Sequence, residues 1–285
     1  MTFEQKVKAS IMKLIVCSKV DVASQNIKDA LLSLKEFDGE KKGNYTLYTG
    51  DDVSIADVDE RLIYADHLDE RLKKHLDFDE ILFVSRHSSK DGRKIVTTHC
   101  TGNVGRADYG GKPYSLAKPS PSTMKNFSLI VYKKLVDTDF EFTMEATHHG
   151  PSEISVPSAF YEIGSTENEW RDRNIAWIVA ESILEALKLN SEWRIAVGVG
   201  GTHYIPRQTE IELSTVFAFA HNFPKYTFSD LNEDFLLHAI ELSSAETVII
   251  DEKSVNSRIK SMMREISEKT GLELLRSKEA KKQRI

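Results

Sequence analysis

The sequence predicts an α/β fold, a single three-layer domain in which helices flank a mixed, largely parallel β-sheet. Short apolar runs typical of buried strands alternate with amphipathic helical runs along the whole chain. The 285 residues are 40% hydrophobic, so they can bury a large core, and only 7 of them are proline. No low-complexity linker or internal repeat divides the chain, and an arrangement of two lobes is the alternative to one domain.

The first elements are identified from apolar runs and their caps. Residues 12–18 predict a buried strand, and a helix follows over about 21–36 with Asp21 at its N-cap. Residues 45–49 predict a short strand, and residues 66–76 predict a helix within a strongly charged stretch. Strand and helix therefore alternate from the start of the chain.

Two further strands, 80–85 and 94–99, are separated by a short polar turn, so they can pair as a hairpin. Residues 101–113 then form the longest glycine-dense loop of the chain. Such a loop lets the backbone approach a ligand closely, and its length favours a functional role. Its glycine spacing matches neither the dinucleotide-binding nor the phosphate-binding loop, so we infer no nucleotide cofactor from it.

The central strand of the predicted sheet spans about 140–149. Successive side chains of a strand point to opposite faces. This alternation puts Glu145 and His149 on one face and His148 on the other, unless the strand breaks before that point.

The second half of the chain continues the alternation. A capping box from Thr166 to Glu169 predicts a long helix that reaches about Leu189, and residues 211–220 fit either a strand or a buried helix. The other predicted elements are a helix opened by Ser120 and Pro121, a strand over 193–199, a helix over about 230–242 capped by Ser229, a strand over 247–251, a helix ended by Gly271, and a strand over 272–275.

Composition excludes several classes of protein. The net charge of −6 and the pI of 5.9 argue against broad non-specific binding of nucleic acid. Residues 253–285 differ, because 10 Lys/Arg against 4 Glu give a local charge of +6 that suits either a phosphate backbone or a solvated helix and tail. No apolar run is long enough to span a membrane and no signal peptide is evident, so we expect a cytoplasmic protein.

We divide the chain into an N-terminal extension, 1–11, one domain over 12–277, and a basic tail, 278–285. Cys17 and Cys100 are too few for a disulfide scaffold or an all-cysteine zinc site. We therefore expect two buried or incidental thiols.

Four apolar, strand-like runs end in histidine beside small or hydroxylated residues. The histidines at these ends are His87, His99, His148, His149 and His203. Ligands bind at the carboxyl ends of the strands in an open α/β sheet, so these ends are candidates for one shared site. A single such histidine is usually structural, but burying several imidazoles without metal, carboxylate or substrate partners would lose hydration with no compensation.

Two kinds of hydrolytic site fit this pattern. Glu145 and the five histidines exceed the three protein ligands of a catalytic zinc, although the helical His-Glu-x-x-His motif is absent. Without metal, one histidine would act as general base and another as proton donor, and amides of Gly200, Gly201 or residues 102–105 would stabilise an oxyanion. No Gly-x-Ser-x-Gly elbow is present, so we expect an activated water and not a covalent nucleophile.

Arg86, Arg106 and Arg207 lie beside these histidines in the sequence. Guanidinium groups suit the recognition of phosphate or carboxylate. Surface ion pairs are the other interpretation of the three arginines.

Four motifs occur in a fixed order along the chain. They are Ser85-Arg86-His87-Ser88, His99 with Thr101-Gly102-Asn103, Thr143-Met144-Glu145-Ala146-Thr147-His148-His149-Gly150-Pro151, and Gly200-Gly201-Thr202-His203-Tyr204-x-Pro206-Arg207. In this combination the chain resembles the D-aminoacyl-tRNA deacylase family of archaea and plants, the second and zinc-associated type. The resemblance extends from Met12 to about Ser277.

The resemblance implies hydrolysis of the ester between a D-amino acid and the 3′-terminal ribose of tRNA, which recycles the tRNA. It also implies a zinc cofactor and a fold similar to those of peptidyl-tRNA hydrolases and nucleoside phosphorylases. The implied partner is the acceptor end of D-aminoacyl-tRNA, with no membrane, for a monomer or small homo-oligomer.

The histidine pattern and the resemblance together assign residues to a site. The expected catalytic residues are Glu145, His148, His149 and His203. The expected zinc ligands are His87, His99, His148, His149 and His203, and the expected substrate-binding residues are Arg86, Asn103, Gly200, Gly201, Tyr204 and Arg207. Glu145 is expected to accept a proton from the attacking water, because it shares a strand face with His149.

Three other functions stay open. A nucleoside phosphorylase-like enzyme would cleave a nucleoside only when phosphate is supplied, and another hydrolase of the tRNA 3′ end would differ in substrate. A non-catalytic tRNA-binding module would leave the lifetime of the ester unchanged and would tolerate replacement of its histidines.

Overall fold

The computed structural model describes residues 12–285 and confirms the predicted α/β class. The predicted extension, residues 1–11, lies outside the described residues. The strands are β1 (Lys13–Ser18), β2 (Asp38–Lys42), β3 (Tyr45–Thr49), β4 (Val53–Val58), β5 (Glu80–Arg86), β6 (Ile95–His99), β7 (Gly102–Asn103), β8 (Ser115–Leu116), β9 (Glu141–Met144), β10 (Ser158–Gly164), β11 (Arg194–Val199), β12 (Phe217–Phe223), β13 (Thr247–Ile250) and β14 (Glu273–Arg276).

The helices alternate with these strands. They are α1 (Val22–Leu34), α2 (Leu68–Leu72), α3 (Pro121–Lys134), α4 (Glu167–Trp170), α5 (Arg173–Ala186), α6 (Pro206–Ser214), α7 (Glu233–Ser243), α8 (Ser257–Thr270) and α9 (Ser277–Ala280). Among residues 12–285, none of these helices has the length and apolar character needed to cross a membrane.

The larger sheet has eight strands in the order β2-β3-β4-β1-β5-β10-β6-β9. The neighbours β4-β1-β5-β10 and β6-β9 are parallel, whereas β2-β3-β4 and β10-β6 are antiparallel. Alternate residues of β1 enter two different cores, Ile15 against α1 and α5, and Leu14 against α2. Since both faces are covered, β1 is an unbroken apolar run, as is typical of a parallel strand inside three layers.

A second sheet of four parallel strands, in the order β12-β11-β13-β14, was not predicted as a separate sheet. One of its faces packs against α7 and α8. The two sheets are joined by the segment after β9, where the Ala146 amide donates to the His203 carbonyl at 2.8 Å and the Thr147 amide donates to the Asn222 carbonyl at 2.9 Å. The carboxyl ends of β9 and β11 therefore meet.

The hairpin predicted from 80–85 and 94–99 is wrong, because β10 lies between the two strands. Phe160 of β10 pairs with Phe83 on one side and with His99 on the other. β10 was missed in the sequence, where its stretch was interpreted as a polar connection. β10 is buried along its whole length between β5 and β6, so a segment distant in sequence provides the pairing expected from the neighbouring strand.

Several element boundaries also differ from the predictions. The central strand ends at Met144 instead of 149, the helix predicted over 66–76 shortens to α2, and the long helix after Thr166 breaks at Arg171–Asp172 into α4 and α5. Asn232, not Ser229, caps α7. Residues 211–220 contain both alternatives, the end of α6 and the start of β12, which explains why their periodicity was ambiguous.

The predicted basic tail, residues 278–285, packs against the body of the protein. Ala280 is buried, and the Gln283 carbonyl accepts a hydrogen bond from the Val216 amide at 2.9 Å. An isolated bridge also pairs Arg284 with Thr215, so this segment is ordered against the start of β12 and is not a frayed end. Both cysteines are buried, as expected.

Lys125 of α3 is fully buried at the end of α6. Its ammonium group donates to the carbonyls of Glu212 and Thr215, the second at 2.8 Å. These carbonyls lie in the last turn and cap of α6, where a helix leaves its carbonyls without intrahelical donors. The burial lowers the pKa of Lys125.

Replacing Lys125 by Met is expected to lower the free energy of unfolding by about 3 kcal/mol, because both carbonyls would stay buried without a donor. Urea denaturation measures this difference. Lys133→Met, on the exposed side of the same helix, is the control and should change stability by less than about 0.5 kcal/mol. Equal unfolding midpoints for the two variants would contradict this assignment.

Candidate active site

The structure brings the five histidines of the strand ends together. His87 follows β5, His99 ends β6, His148 and His149 follow β9, and His203 follows β11. Ring centroids are 4.3 Å apart for His99 and His148, 4.3 Å for His148 and His149, and 4.6 Å for His148 and His203. The four strand ends therefore form one site, at the junction of the two sheets.

Glu145 is the buried centre of this cluster. Its carboxylate lies 2.8 Å from Nε2 of His203, 3.1 Å from Nδ1 of His87 and 3.5 Å from Nε2 of His148. Burial alone would raise the pKa of Glu145, but the adjacent imidazoles of His203 and His87 hold it well below its usual range. The group is thus a carboxylate that fixes three imidazoles.

Its partners differ from those predicted. The argument that Glu145 shares a strand face with His149 is wrong, because β9 ends at Met144 and the alternation stops there. An isolated antiparallel bridge between Glu145 and Tyr204 turns the Glu145 side chain toward the β11 loop instead.

A second buried carboxylate, Glu162 of β10, was missed in the sequence. It accepts a hydrogen bond from Ser85 Oγ at 2.5 Å and lies 3.6 Å from Nδ1 of His87 and 3.5 Å from Nε2 of His99. The signal that could have revealed it is the β-rich run Ser158-Ala159-Phe160-Tyr161-Glu162-Ile163-Gly164. Burial would raise the pKa of Glu162, but the neighbouring His87 and His99 imidazoles lower it.

His87 is held as a cation by these two carboxylates. Burial would lower its pKa, but the adjacent carboxylates of Glu145 and Glu162 raise the pKa of His87 to about 12. Its Nε2 contacts the hydroxyl of Tyr204 at 2.9 Å. Both ring nitrogens are occupied, so His87 provides a fixed positive charge beside the cluster.

Three other histidines have their tautomers fixed by backbone carbonyls. Nδ1 of His99, His148 and His149 contacts the carbonyls of Cys100 at 3.2 Å, Ala146 at 2.8 Å and Gly150 at 2.6 Å, respectively. A carbonyl only accepts hydrogen bonds, so Nδ1 carries the proton in each ring and Nε2 keeps its lone pair in the neutral form.

The protonation states of these three imidazoles differ. Burial, with the neighbouring histidines, lowers the pKa of His148 well below its usual value and that of His149 to about 4. Burial would also lower the pKa of His99, but Glu162 raises it. His148 and His149 are therefore neutral bases at physiological pH.

The donor atoms of these side chains are close enough to hold a metal ion. Within the described residues, three overlapping groups have ligand atoms within 4.8 Å of one another: His99 with His148 and His149, Glu145 with His148 and His203, and His87 with Glu145 and Glu162. Imidazole and carboxylate donors are those that zinc takes in catalytic sites. The carbonyls that fix Nδ1 are typical outer partners of metal-bound histidines.

Gly200 and Gly201 do not present free amides to the site. The Gly200 amide donates to the Phe223 carbonyl at 2.8 Å, and the Gly201 amide donates to Ser254 Oγ at 2.7 Å. Both amides are already hydrogen-bonded within the protein, so they are not available to stabilise an oxyanion as considered from the sequence. Their positive φ angles, 111° and 88°, let the chain turn from β11 toward His203.

The predicted substrate-binding side chains are distributed unevenly around the site. Arg86 stacks its guanidinium 4.8 Å from the Trp170 ring and lines a cavity beside the histidines. Tyr204 contacts His87, as described. Asn103 donates to the carbonyls of Gly110 and Lys112 and so holds the glycine-dense loop. Arg207 lies on the first turn of α6 and contacts Glu210 at 3.5 Å.

Two cavities border the cluster. The larger, of about 410 Å³, is lined by Arg61, Ile63 and Arg86 among others, and the smaller, of about 290 Å³, by Arg106 and Tyr226 among others. They share four lining residues, Tyr109, His148, His149 and His203. The glycine-dense loop 101–113 contributes Tyr109, so this loop forms part of the wall between cluster and solvent.

Comparison with known proteins identifies close relatives. Residues 74–275 match the family model described as D-aminoacyl-tRNA deacylase. The chain is 61% identical over 273 residues to the D-aminoacyl-tRNA deacylase of Archaeoglobus fulgidus, covering 95% of this chain and 98% of that protein. It is 42% identical over 274 residues to the D-aminoacyl-tRNA deacylase of Thermococcus kodakarensis, covering 93% of this chain and 100% of that protein.

A solved structure is also similar over nearly the whole chain. A crystal structure described as a conserved protein of unknown function aligns with a TM-score of 0.95 and 60% sequence identity. The alignment covers 96% of this chain and 99% of that chain.

Proposed function

The chain belongs to the D-aminoacyl-tRNA deacylase family, and from that premise we propose that it hydrolyses the ester between a D-amino acid and the 3′-terminal ribose of tRNA. Water adds to the ester carbonyl, and the products are the free D-amino acid and tRNA with a free terminal hydroxyl. Besides family membership, one structural observation supports this proposal. The buried Glu145 carboxylate contacts His87, His148 and His203, and two of these histidines, His148 and His203, line both cavities.

The two cavities suit the two halves of this substrate. An aminoacyl group and a nucleoside lie on opposite sides of the ester bond, and the two cavities share His148, His149 and His203 as lining residues. One cavity would take the amino acid and the other the terminal adenosine, which places the ester against the cluster. Holding the reacting groups in this way supplies part of the rate enhancement.

Zinc fits this donor set. His99, His148 and His149 would hold it, because each offers a ring nitrogen within 4.8 Å of the others, and His99 Nε2 has no hydrogen-bond partner within residues 12–285. Zinc bound there would polarise the ester carbonyl and acidify the attacking water.

The protein's own residues then act on protons and charge. His203 is half exposed at the cavities and bonded to Glu145, so it takes a proton from water and delivers it to the leaving ribose oxygen, with its ring oriented by the carboxylate. The cation His87 offsets part of the negative charge of Glu145 and Glu162 beside the reacting ester. Glu145 acts as the residue that positions both, since its depressed pKa makes it a weak proton acceptor.

Hydrolysis of D-Tyr-tRNA and L-Tyr-tRNA by the purified protein tests the proposal. We expect rapid cleavage of the D-ester only. Chelation should lower the rate to near the uncatalysed level. Added zinc should restore the rate, because the buried imidazoles then bind the metal again. Metal analysis of the protein before and after chelation provides the second measurement.

The outcomes separate the parts of this proposal. D-selective cleavage that survives complete metal removal would keep the deacylase activity and would reject the zinc role. Cleavage of neither ester would reject the activity, and phosphate-dependent cleavage of a nucleoside would then support the phosphorylase alternative.

A further inference from the structure

Four of the protein's exposed tyrosines lie at the active-site cavities or at the glycine-dense loop beside them. Within residues 12–285 five tyrosines are at least half exposed: Tyr64 at 51%, Tyr109 at 68%, Tyr114 at 51%, Tyr132 at 51% and Tyr226 at 54%. All except Tyr132 contact the cavities or the glycine-dense loop beside them. We call these four, Tyr64, Tyr109, Tyr114 and Tyr226, the tyrosine rim.

Each member of the rim is fixed by the backbone or the site. The Tyr109 carbonyl accepts from the Gly150 amide at 3.0 Å, next to His149, and its ring lines both cavities. The Tyr226 hydroxyl lies 3.5 Å from Nδ1 of His203. The rim therefore begins at the reacting groups.

The other two members continue the rim outward along the loop. The Tyr64 ring lies against the backbone of Gly110, whose added Cβ would come within 3.1 Å of it. The amide of Tyr114 donates to the Gly105 carbonyl at 3.2 Å, and its hydroxyl contacts Asp230 at 3.2 Å. The tyrosine rim thus follows the loop 101–113 away from the histidines.

Arginines without ion-pair partners lie among these rings. Arg61 and Arg86 line the larger cavity and Arg106 lines the smaller one, and none of the three pairs with a carboxylate among residues 12–285. The chain as a whole carries a net charge of −6, so these cations provide a local attraction for phosphate on an otherwise acidic protein.

Exposed aromatic rings interleaved with cations bind single-stranded nucleic acid. Unpaired bases can stack on tyrosine, whereas bases inside a duplex already stack on each other and do not expose their faces. We propose that the tyrosine rim binds the unpaired nucleotides at the 3′ end of tRNA by stacking, with Arg61, Arg86 and Arg106 at their phosphates. This inference rests on the proposed function for the identity of the RNA.

The test measures binding of unacylated RNA, which does not depend on ester cleavage. The probes are a single-stranded tetranucleotide ending in CCA and a hairpin in which the same four nucleotides are paired at the blunt end of a longer duplex stem. The wild-type protein should bind the single strand at least tenfold more tightly. Tyr109→Ala and Tyr226→Ala should each raise Kd for the single strand about tenfold, as loss of one stacked base does.

Matched variants separate stacking from structural damage. Tyr132→Ala removes an equally exposed tyrosine from α3, which lines neither cavity, and should leave Kd unchanged. Tyr109→Phe keeps the ring and should bind like the wild type. In turnover of D-aminoacyl-tRNA, Tyr109→Ala should raise KM and change kcat by less than about threefold.

Three results would overturn the inference: an unchanged Kd in both alanine variants, equal binding of duplex and single strand, or an equal loss in Tyr132→Ala. If the wild-type protein binds the single strand through the rim but cleaves no D-ester, the proposed function fails and the surface stands. If the protein cleaves the D-ester but the rim variants bind the single strand normally, the inference about the tyrosine rim fails and the proposed function stands.

Discussion

Replacing Glu145 by Gln is expected to lower kcat for hydrolysis of D-aminoacyl-tRNA by about 10²- to 10⁴-fold. The amide keeps the size of the side chain but loses the charge that contacts His87, His148 and His203. His203 would then lose its orienting carboxylate and His87 one of the two anions that keep it protonated. Single-turnover kinetics with D-Tyr-tRNA measure this loss, and KM should change much less.

Glu80→Gln is the matched control for this variant. Glu80 is also a buried carboxylate, but it lies at the opposite end of β5 from His87, where it pairs with Lys13 at 2.7 Å and accepts from Ser120. The Glu80 variant should lose stability and keep kcat at a temperature where it is folded. Full turnover in Glu145→Gln, or an equal loss in both variants, would reject the role of Glu145.

Replacing Glu162 by Gln is expected to lower kcat/KM by about 10²-fold and to weaken zinc binding by a similar factor. Glutamine still accepts the hydrogen bond from Ser85, but it no longer provides the negative charge beside His87 and His99. The measurements are turnover of D-Tyr-tRNA and zinc affinity by competition with a chelator.

A purely structural role for Glu162 predicts a different pattern. In that case the variant would lose thermal stability, as Glu80→Gln does, while zinc affinity and kcat/KM of the folded fraction would stay at wild-type values. That result would assign the buried Glu162 to packing of β10 and would remove it from the site.

Local patterns predicted much of the fold correctly. Asp21 caps α1 through a hydrogen bond to the Ser24 amide at 3.1 Å, and Gly271 ends α8 at a φ of 73°. Caps and apolar periodicity depend on residues a few positions apart, so they can be read without knowing the rest of the chain. The four histidine motifs and the family they indicate were likewise readable, and the chain is a member of that family.

The order of the strands in the sheet could not be predicted from such local patterns. β10 separates β5 from β6, and its pairing of Phe160 with Phe83 and His99 joins residues distant in sequence. Sheet register depends on which faces become buried, and no local pattern records that. Glu162 was missed for this reason, because its chemistry appears only once β10 places it beside two histidine-bearing strands.

The residue types of the site can thus be predicted from the sequence, whereas the contacts between them are determined by the tertiary structure. The strand-end histidines and Glu145 predict a hydrolytic cluster from the sequence alone. Only the junction of the two sheets decides that Glu145 meets His203 and His87 and not His149. Proton positions and charge in a buried cluster depend on distances of a few ångströms between elements, which folding sets and chain order does not.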